Sequence, residues 1–312
     1  MSSSPLRCVL LTVVALAAAC NSRDDEVGSS YAAASATASA EGRDRIPAGF
    51  PIGVLDEALA GAERLSKRTY DATGTYDIWF TSDAPDPSET MYGSYDSDRS
   101  RLWLSAPRAG HPRFDLERQA RLLSTVAVHE LGHHVFDNFM LSRDGVWGAY
   151  VRDEIRSATH RETVRFMLLA YGELFADIFA VIHSGEPTIM RDYAETALSS
   201  SPMDVACRDF TTDCSQEHAE TWRASLDADR SRSDPTAYKY NYFGPARASW
   251  GGFDRELTTF AGKQDLLATI ATVMAEDFEA RFTSATTTLA SLDPTSHNLD
   301  LAQRLVEVTP SP

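Results

Sequence analysis

Two long stretches of the chain carry apolar residues at helical spacing. The first runs from Asp115 to about Asn138, and its apolar residues recur every three or four positions, which is typical of a helix with one buried face. Asp115 is its predicted N-cap. The second runs from Ser157 to His183, is apolar almost all round towards its end, and stops before Gly185. This pattern predicts a helix inside the core.

Shorter patterns surround these two helices. Thr75 to Thr81 alternates between polar and apolar residues and predicts a strand, and two segments joined by a polar turn predict a hairpin, Met91 to Tyr95 and Arg101 to Ser105. Further helices are predicted over Ile46–Thr69, Thr188–Leu198, Gln216–Asp229 and Lys263–Phe282. The expected fold class is α+β and mainly helical, with a small N-terminal sheet and a helical C-terminal part.

The first long helix contains a HExxH motif, His129-Glu130-Leu131-Gly132-His133. Residues four positions apart lie on one helix face, about 6 Å apart along the axis. The imidazoles of His129 and His133 can therefore bind one Zn²⁺, with Glu130 placed as the general base for a metal-activated water. The alternative is that these are ordinary polar residues of a helix.

A third metal ligand is predicted in the second long helix. Glu173 and Asp177 are the only charged residues between Phe166 and Ile182, and they are four positions apart. An ionised carboxylate in a dry core costs several kcal/mol unless it is paired or binds a metal. A metal ion would account for Glu173. Asp177 can accept the ring N–H of a ligand histidine, or it pairs with another donor.

A HExxH helix followed by a helix with Glu-x-x-x-Asp resembles the gluzincin metallopeptidases, the thermolysin-like clan. The resemblance rests on His129, Glu130, His133, Glu173 and Asp177. It implies a zincin-like fold, one Zn²⁺ per chain and hydrolysis of peptide bonds. The metzincin pattern HExxHxxGxxH does not fit, because positions 136 and 139 are phenylalanines.

The resemblance also implies two sites that contact substrate. Such enzymes commonly bind extended substrate along an edge strand, for which Leu102–Leu104 is the candidate, with a purely structural strand as the alternative. They also stabilise the oxyanion with a tyrosine or histidine. Tyr242 is the catalytic candidate here, with Tyr240 and Arg247 beside it. Packing of an aromatic loop is the alternative for these residues.

The N-terminus has the pattern of an export signal. Arg7 precedes an apolar run from Val9 to Ala19, which is too short to span a bilayer and fits a signal peptide. The run ends at Cys20 and resembles a bacterial lipobox, although the usual leucine lies one place early, at Leu16. We therefore expect a lipid anchor on Cys20 at the cell envelope, with simple secretion as the alternative.

The remaining composition fits an exported protein. Residues 21–45 are rich in Ser, Ala, Asp and Glu and predict a disordered tether between the signal segment 1–20 and one domain, 46–312. Cys207 and Cys214 are close in sequence and predict a disulfide, with two buried thiols as the alternative. The net charge of −16 without a basic block argues against nucleic-acid binding.

Together these features predict an exported zinc metallopeptidase that acts on a peptide or protein substrate through a metal-activated water and Glu130. Two alternatives remain open at this point. One is a non-catalytic surface lipoprotein on a zincin-like scaffold that binds a partner or uses the metal for structure. The other is a zinc hydrolase that acts on a non-peptide amide.

Overall fold

The computed structural model describes part of the chain, and every structural statement below concerns that part. The described residues are 31–35, 77–81, 93–96, 101–105, 115–141, 143, 145–197, 207–211, 241–250 and 260–309, with positions 53, 57, 58, 60, 61, 65, 222 and 224. The predicted signal peptide, lipidation residue Cys20 and most of the predicted tether lie outside these residues.

Helix α1 carries the HExxH motif and spans Leu116–Leu141. It begins where the sequence predicts, because Oδ1 of Asp115 accepts a hydrogen bond from the backbone N–H of Arg118 at 2.8 Å, which satisfies a first-turn donor. Its apolar stripe is fully buried from Leu122 to Phe136. The helix therefore lies against the core along most of its length.

After the short helix α2, Val146–Val151, helix α3 spans Ala158–Ser184 and lies inside the core. Ser157 caps its first turn and Gly185 ends it in the left-handed conformation, with φ of 72°, so both predicted ends are confirmed. The helix is long and apolar enough to cross a membrane, yet 89% of its most apolar window is buried inside the protein. In this structure it is a core helix.

Shorter helices and two long C-terminal ones complete the described core. The predicted helices Thr188–Leu198 and Lys263–Phe282 are confirmed. The last helix was not predicted. The helices are α4, Ile189–Ala197; α5, Gly244–Ser249; α6, Phe260–Phe282; and α7, Pro294–Val308. The predicted helix Gln216–Asp229 is described only at positions 222 and 224.

The expected α+β class is wrong. Among the residues whose backbone and side chains are both described over continuous stretches, 79% are helical and none is in a strand. Four short extended segments lie upstream of these residues. Their backbone is described, and Leu104 is the one residue among them whose burial is known. They are β1, Tyr31–Ser35; β2, Asp77–Thr81; β3, Gly93–Asp96; and β4, Arg101–Ser105. The core is thus made of helices packed on helices.

The expectation that Leu102–Leu104 forms a substrate-binding edge strand is also wrong. The four extended segments pair in the order β1-β2-β4-β3. β4 is parallel to β2 on one side and antiparallel to β3 on the other. Because both of its backbone edges are already paired, β4 has no free edge to which an extended peptide can add.

Gly132, inside the HExxH motif, allows α1 and α3 to cross closely. A Cβ atom at this position would lie 2.8 Å from Cα of Ala176 and 3.1 Å from Cβ of Phe179. The first distance is shorter than a van der Waals contact, so any larger residue would push the two backbones apart. The glycine therefore sets the spacing between the two helices that carry the motif residues.

We predict that Gly132→Ala destabilises the protein by about 1–3 kcal/mol, because the added methyl group meets the backbone of α3. Urea unfolding of the metal-free protein measures the loss. Gly53→Ala is the matched control, since an added Cβ at Gly53 meets no atom of the described residues within 4 Å. Equal stability of Gly132→Ala and the wild type would contradict the close crossing.

Candidate metal centre

The crossing of α1 and α3 brings the three predicted metal ligands together. Nε2 of His129 and Nε2 of His133 are 3.1 Å apart. Glu173 reaches both rings, with Oε2 at 3.5 Å from Nε2 of His129 and Oε1 at 3.6 Å from Nε2 of His133. Each residue offers one donor atom, and these atoms lie within 4.8 Å of one another. The group could hold a metal ion.

The spacing of the donor atoms fits a tetrahedral metal. Metal–nitrogen and metal–oxygen bonds of about 2.0–2.1 Å at tetrahedral angles place ligand atoms about 3.3 Å apart. The two ring nitrogens are 3.1 Å apart, close to that value, and each oxygen of Glu173 lies 3.5 or 3.6 Å from one of these nitrogens. Two imidazole nitrogens and one carboxylate oxygen are also a donor set that transition metals bind well. The side chains therefore fit such an ion without large rearrangement.

The centre is buried on one side and reachable on the other. The side chains of His129 and Glu173 are 4% and 1% exposed, whereas that of His133 is 19% exposed. Glu130, which follows His129 on α1, is half-buried. A Cβ at Gly172 would lie 3.4 Å from Nδ1 of His133, at van der Waals contact, so the two helices are closely packed here as well. Solvent reaches the group at the ring of His133.

Asp177 lies behind the donors, where the sequence predicts it. Its Oδ1 is 2.9 Å from Nδ1 of His129. Accepting the Nδ1–H of this ring leaves Nε2, the nitrogen that faces His133 and Glu173, with its lone pair available. The interaction thus selects the tautomer of His129 that can bind a metal.

Two buried arginines, neither of them predicted as a partner of Asp177, balance the charge at the centre. Nε and Nη2 of Arg208 donate to the two carboxylate oxygens of Asp177, with Nε at 3.2 Å from Oδ2. Nε of Arg247 donates to Oδ2 at 2.8 Å. Arg208 also reaches Glu173, with Nη2 at 3.7 Å from Oε2. The two guanidinium groups therefore match the charges of the two carboxylates inside a region that excludes water.

The electrostatic environment changes the pKa values of both members of the His129–Asp177 pair. Burial would raise the pKa of Asp177, yet the charges of Arg208 and Arg247 and the bond to His129 hold it well below its usual range. Burial alone would lower the pKa of His129, but hydrogen bonds with Asp177 and Glu173 raise it to about 9. Without a metal, the ring of His129 therefore holds a proton that a metal ion must displace.

Tyr242 belongs to a second buried polar network. Its side chain is fully buried, and its hydroxyl is 2.8 Å from Nδ1 of His297 on α7. His297 in turn lies 3.0 Å from Oδ2 of Asp277, and the hydroxyl of Tyr171 also contacts this pair. These contacts favour a packing role in a buried polar network. A catalytic role for Tyr242 stays a prediction that the contacts do not support.

The predicted disulfide lies only partly within the described residues. Cys207 is fully buried and precedes Arg208 in the segment 207–211. Cys214 lies outside the described part of the chain, so the pairing of the two cysteines stays a prediction.

Comparison of the chain with protein-family models, with curated proteins and with solved structures finds no match.

We predict that the wild-type protein binds one divalent metal ion per chain and that His133→Ala loses it, because the substitution removes one of the three donors. His134→Ala is the matched control, since this neighbouring histidine is not a member of the group. Elemental analysis after dialysis against buffered zinc gives the stoichiometry. Metal retention by His133→Ala, or its loss by His134→Ala, would contradict the assignment.

We predict that metal affinity rises as the pH rises to about 9, because below that pH the metal must displace the proton of His129. The rise should approach tenfold per pH unit, with release of one proton on binding. Asp177→Asn removes the negative charge that raises the pKa of His129, so the rise should end at a lower pH in this variant. Titration calorimetry in two buffers of different ionisation enthalpy measures both quantities. An affinity unchanged between about pH 7 and 9 would contradict the prediction.

Proposed function

We propose that this protein is a zinc-dependent metallopeptidase of gluzincin type. The observation that carries the proposal is the convergence of His129, His133 and Glu173 into one group that could hold a metal ion, in a motif whose Glu130 is half-buried. Zinc is the proposed ion because two imidazoles and one carboxylate are the ligands of many catalytic zinc sites.

The number of donors favours a catalytic over a structural metal. Structural zinc sites are closed by four protein ligands, whereas catalytic sites keep a position for water or substrate. Among the described residues the candidate group has three members. The partly exposed ring of His133 lies on the side from which substrate would approach.

The proposed roles follow from the three-residue group and from the place of Glu130 in the HExxH motif. His129, His133 and Glu173 would hold the ion, which when bound lowers the pKa of water and polarises the scissile carbonyl. Glu130 would accept the proton of the attacking water at its carboxylate and pass it to the nitrogen of the leaving amine. Asp177 would keep Nδ1 of His129 protonated, so that the ring stays oriented.

The proposed setting of the enzyme is the cell envelope. It rests on the signal-like segment before Cys20 and on the tether predicted after it, with a lipid anchor on Cys20 as the link to the membrane. The proposed partners are accordingly a peptide or protein substrate and the membrane that holds the anchor, with no nucleic acid.

We predict that Glu130→Gln retains the metal and loses hydrolysis by roughly 10²–10⁴-fold, because the amide cannot accept the proton of water. Glu117→Gln is the matched control, since Glu117 is exposed in the first turn of the same helix. Cleavage of a mixed peptide library, read by mass spectrometry with and without a chelator, measures the activity.

The outcomes separate the proposed function from its alternatives. Equal turnover by Glu130→Gln and the wild type would remove Glu130 from the mechanism. A wild type that binds zinc but cleaves no peptide would favour a non-catalytic binding module. Hydrolysis of small amides without cleavage of peptides would favour a non-peptide amidase.

A further inference from the structure

Arg247 is the second guanidinium on Asp177, and it comes from a part of the chain remote from both metal-ligand helices. It lies on α5, is fully buried, and approaches Oδ2 of Asp177 with both Nε and Nη2 at 2.8 Å. Burial lowers the pKa of its guanidinium, and the charge of Asp177 opposes this change. A buried arginine at this place requires the carboxylate as its counter-charge.

The two oxygens of Asp177 have different partners. Oδ1 lies 2.9 Å from Nδ1 of His129, and Nη2 of Arg208 also contacts Oδ1. Oδ2 accepts from Nε of Arg247 at 2.8 Å and from Nε of Arg208 at 3.2 Å. With Oδ2 held from two sides, the carboxylate cannot rotate without breaking charged hydrogen bonds. Oδ1 therefore stays directed at the histidine.

The C-terminal helix holds Arg247 in place. Oδ1 of Asn298 on α7 accepts from the backbone N–H of Ala246, at 3.0 Å, and its Nδ2 donates to the backbone carbonyl of Tyr242 at 2.8 Å. Trp250, after the same short helix, donates from Nε1 to the hydroxyl of Thr309 at 2.9 Å. The segment that carries Arg247 is thus fixed to α7 at both ends.

We propose that Arg247 is a positioning residue for the metal ligand His129. It holds Oδ2 of Asp177, keeps Oδ1 on the Nδ1–H of His129, and so fixes Nε2 of that ring toward the metal position. The proposal rests on the metal centre of the proposed function and assigns α7 a part in it. The C-terminal helix supports the centre through Asn298, Arg247 and Asp177, although it contributes no donor atom.

The test measures zinc affinity by competition with a chromophoric chelator, without any peptide substrate. Loss of a residue that supports a ligand histidine lowers metal affinity by roughly 10–100-fold, and we expect such a loss for Asp177→Asn. For Arg247→Met, one step further from the metal, we expect roughly tenfold. Arg247→Lys, which keeps a charge on Oδ2, should recover most of the affinity.

Arg281→Met is the matched control. Arg281 is also bound to two carboxylates, those of Asp277 and Asp300, and its contacts do not include Asp177. Urea unfolding of both variants shows how much stability each loses, so that their zinc affinities can be compared at a known loss of stability. We expect its zinc affinity to equal that of the wild type.

The double variant Arg247→Met/Asp177→Asn shows whether Arg247 acts through Asp177. Because the two residues form one unit, its affinity should equal that of Asp177→Asn alone. This variant removes both buried charges together, so it keeps the comparison available if Arg247→Met does not fold. Affinity losses that multiply, or an unchanged affinity in Arg247→Met, would overturn the proposal.

A second readout does not need the metal. In the zinc-free protein, at a pH where the ring of His129 carries one proton, its ¹⁵N shifts should show that proton on Nδ1, the nitrogen 2.9 Å from Oδ1 of Asp177, in the wild type. They should show a mixture of tautomers in Arg247→Met. The same tautomer in both proteins would overturn the positioning role. A wild type that binds no zinc would overturn the proposed function instead, and the tautomer comparison would still decide the role of Arg247.

Discussion

The close crossing of α1 and α3 is the constraint on which the rest of the structure depends. Metal donors on two separate helices can share one ion only if the helix backbones lie close together. The donor residues must also lie opposite each other along the two helix axes. Gly132 permits this approach, because the backbone of Ala176 occupies the space of its missing side chain. Gly132 of the HExxH motif therefore has a steric role, whereas its neighbours in the motif have the proposed chemical roles.

The crossing buries two carboxylates away from water. The free-energy cost of removing these charges from water is offset by two buried arginines. Glu173 and Asp177 are both buried, and so are Arg208 and Arg247. The charges of these four side chains cancel, and the ring of His129 adds one positive charge until a metal displaces its proton. The polar centre is thus assembled by contacts among α1, α3, the segment 207–211 and α5, so the protein has a reason to form it without the ion. A divalent ion held by His129, His133 and Glu173 would add positive charge to this centre.

The sequence predicted the parts of the site that have local spacing. His129 and His133, like Glu173 and Asp177, are four positions apart on helices whose apolar patterns are strong, and the ends at Asp115, Ser157 and Gly185 follow from ordinary capping residues. Arg208 and Arg247 could not be found in this way, because they reach Asp177 from distant segments without a repeating pattern. The available signal was the charge of Asp177 itself, which required buried cations somewhere in the chain.

The fold class was predicted less well than the site. The alternation of polar and apolar residues before Ser105 indicated that a sheet forms one layer of the fold. The core, where backbone and side chains are both described, consists of helices. Helix α7 was not predicted, and two of its large apolar residues, Leu299 and Val306, are exposed at 55% and 42%. Its contribution comes from Asn298 and His297, polar residues whose buried partners lie on other elements. Periodicity alone does not identify such contacts.

X-ray absorption at the zinc edge of the zinc-loaded protein tests the central claim most directly. We expect a first shell of nitrogen and oxygen at about 2.0–2.1 Å, with outer-shell scattering from the rings of two histidines. Sulfur ligands at about 2.3 Å, which would indicate a cysteine site, or a shell without the two imidazoles would contradict it.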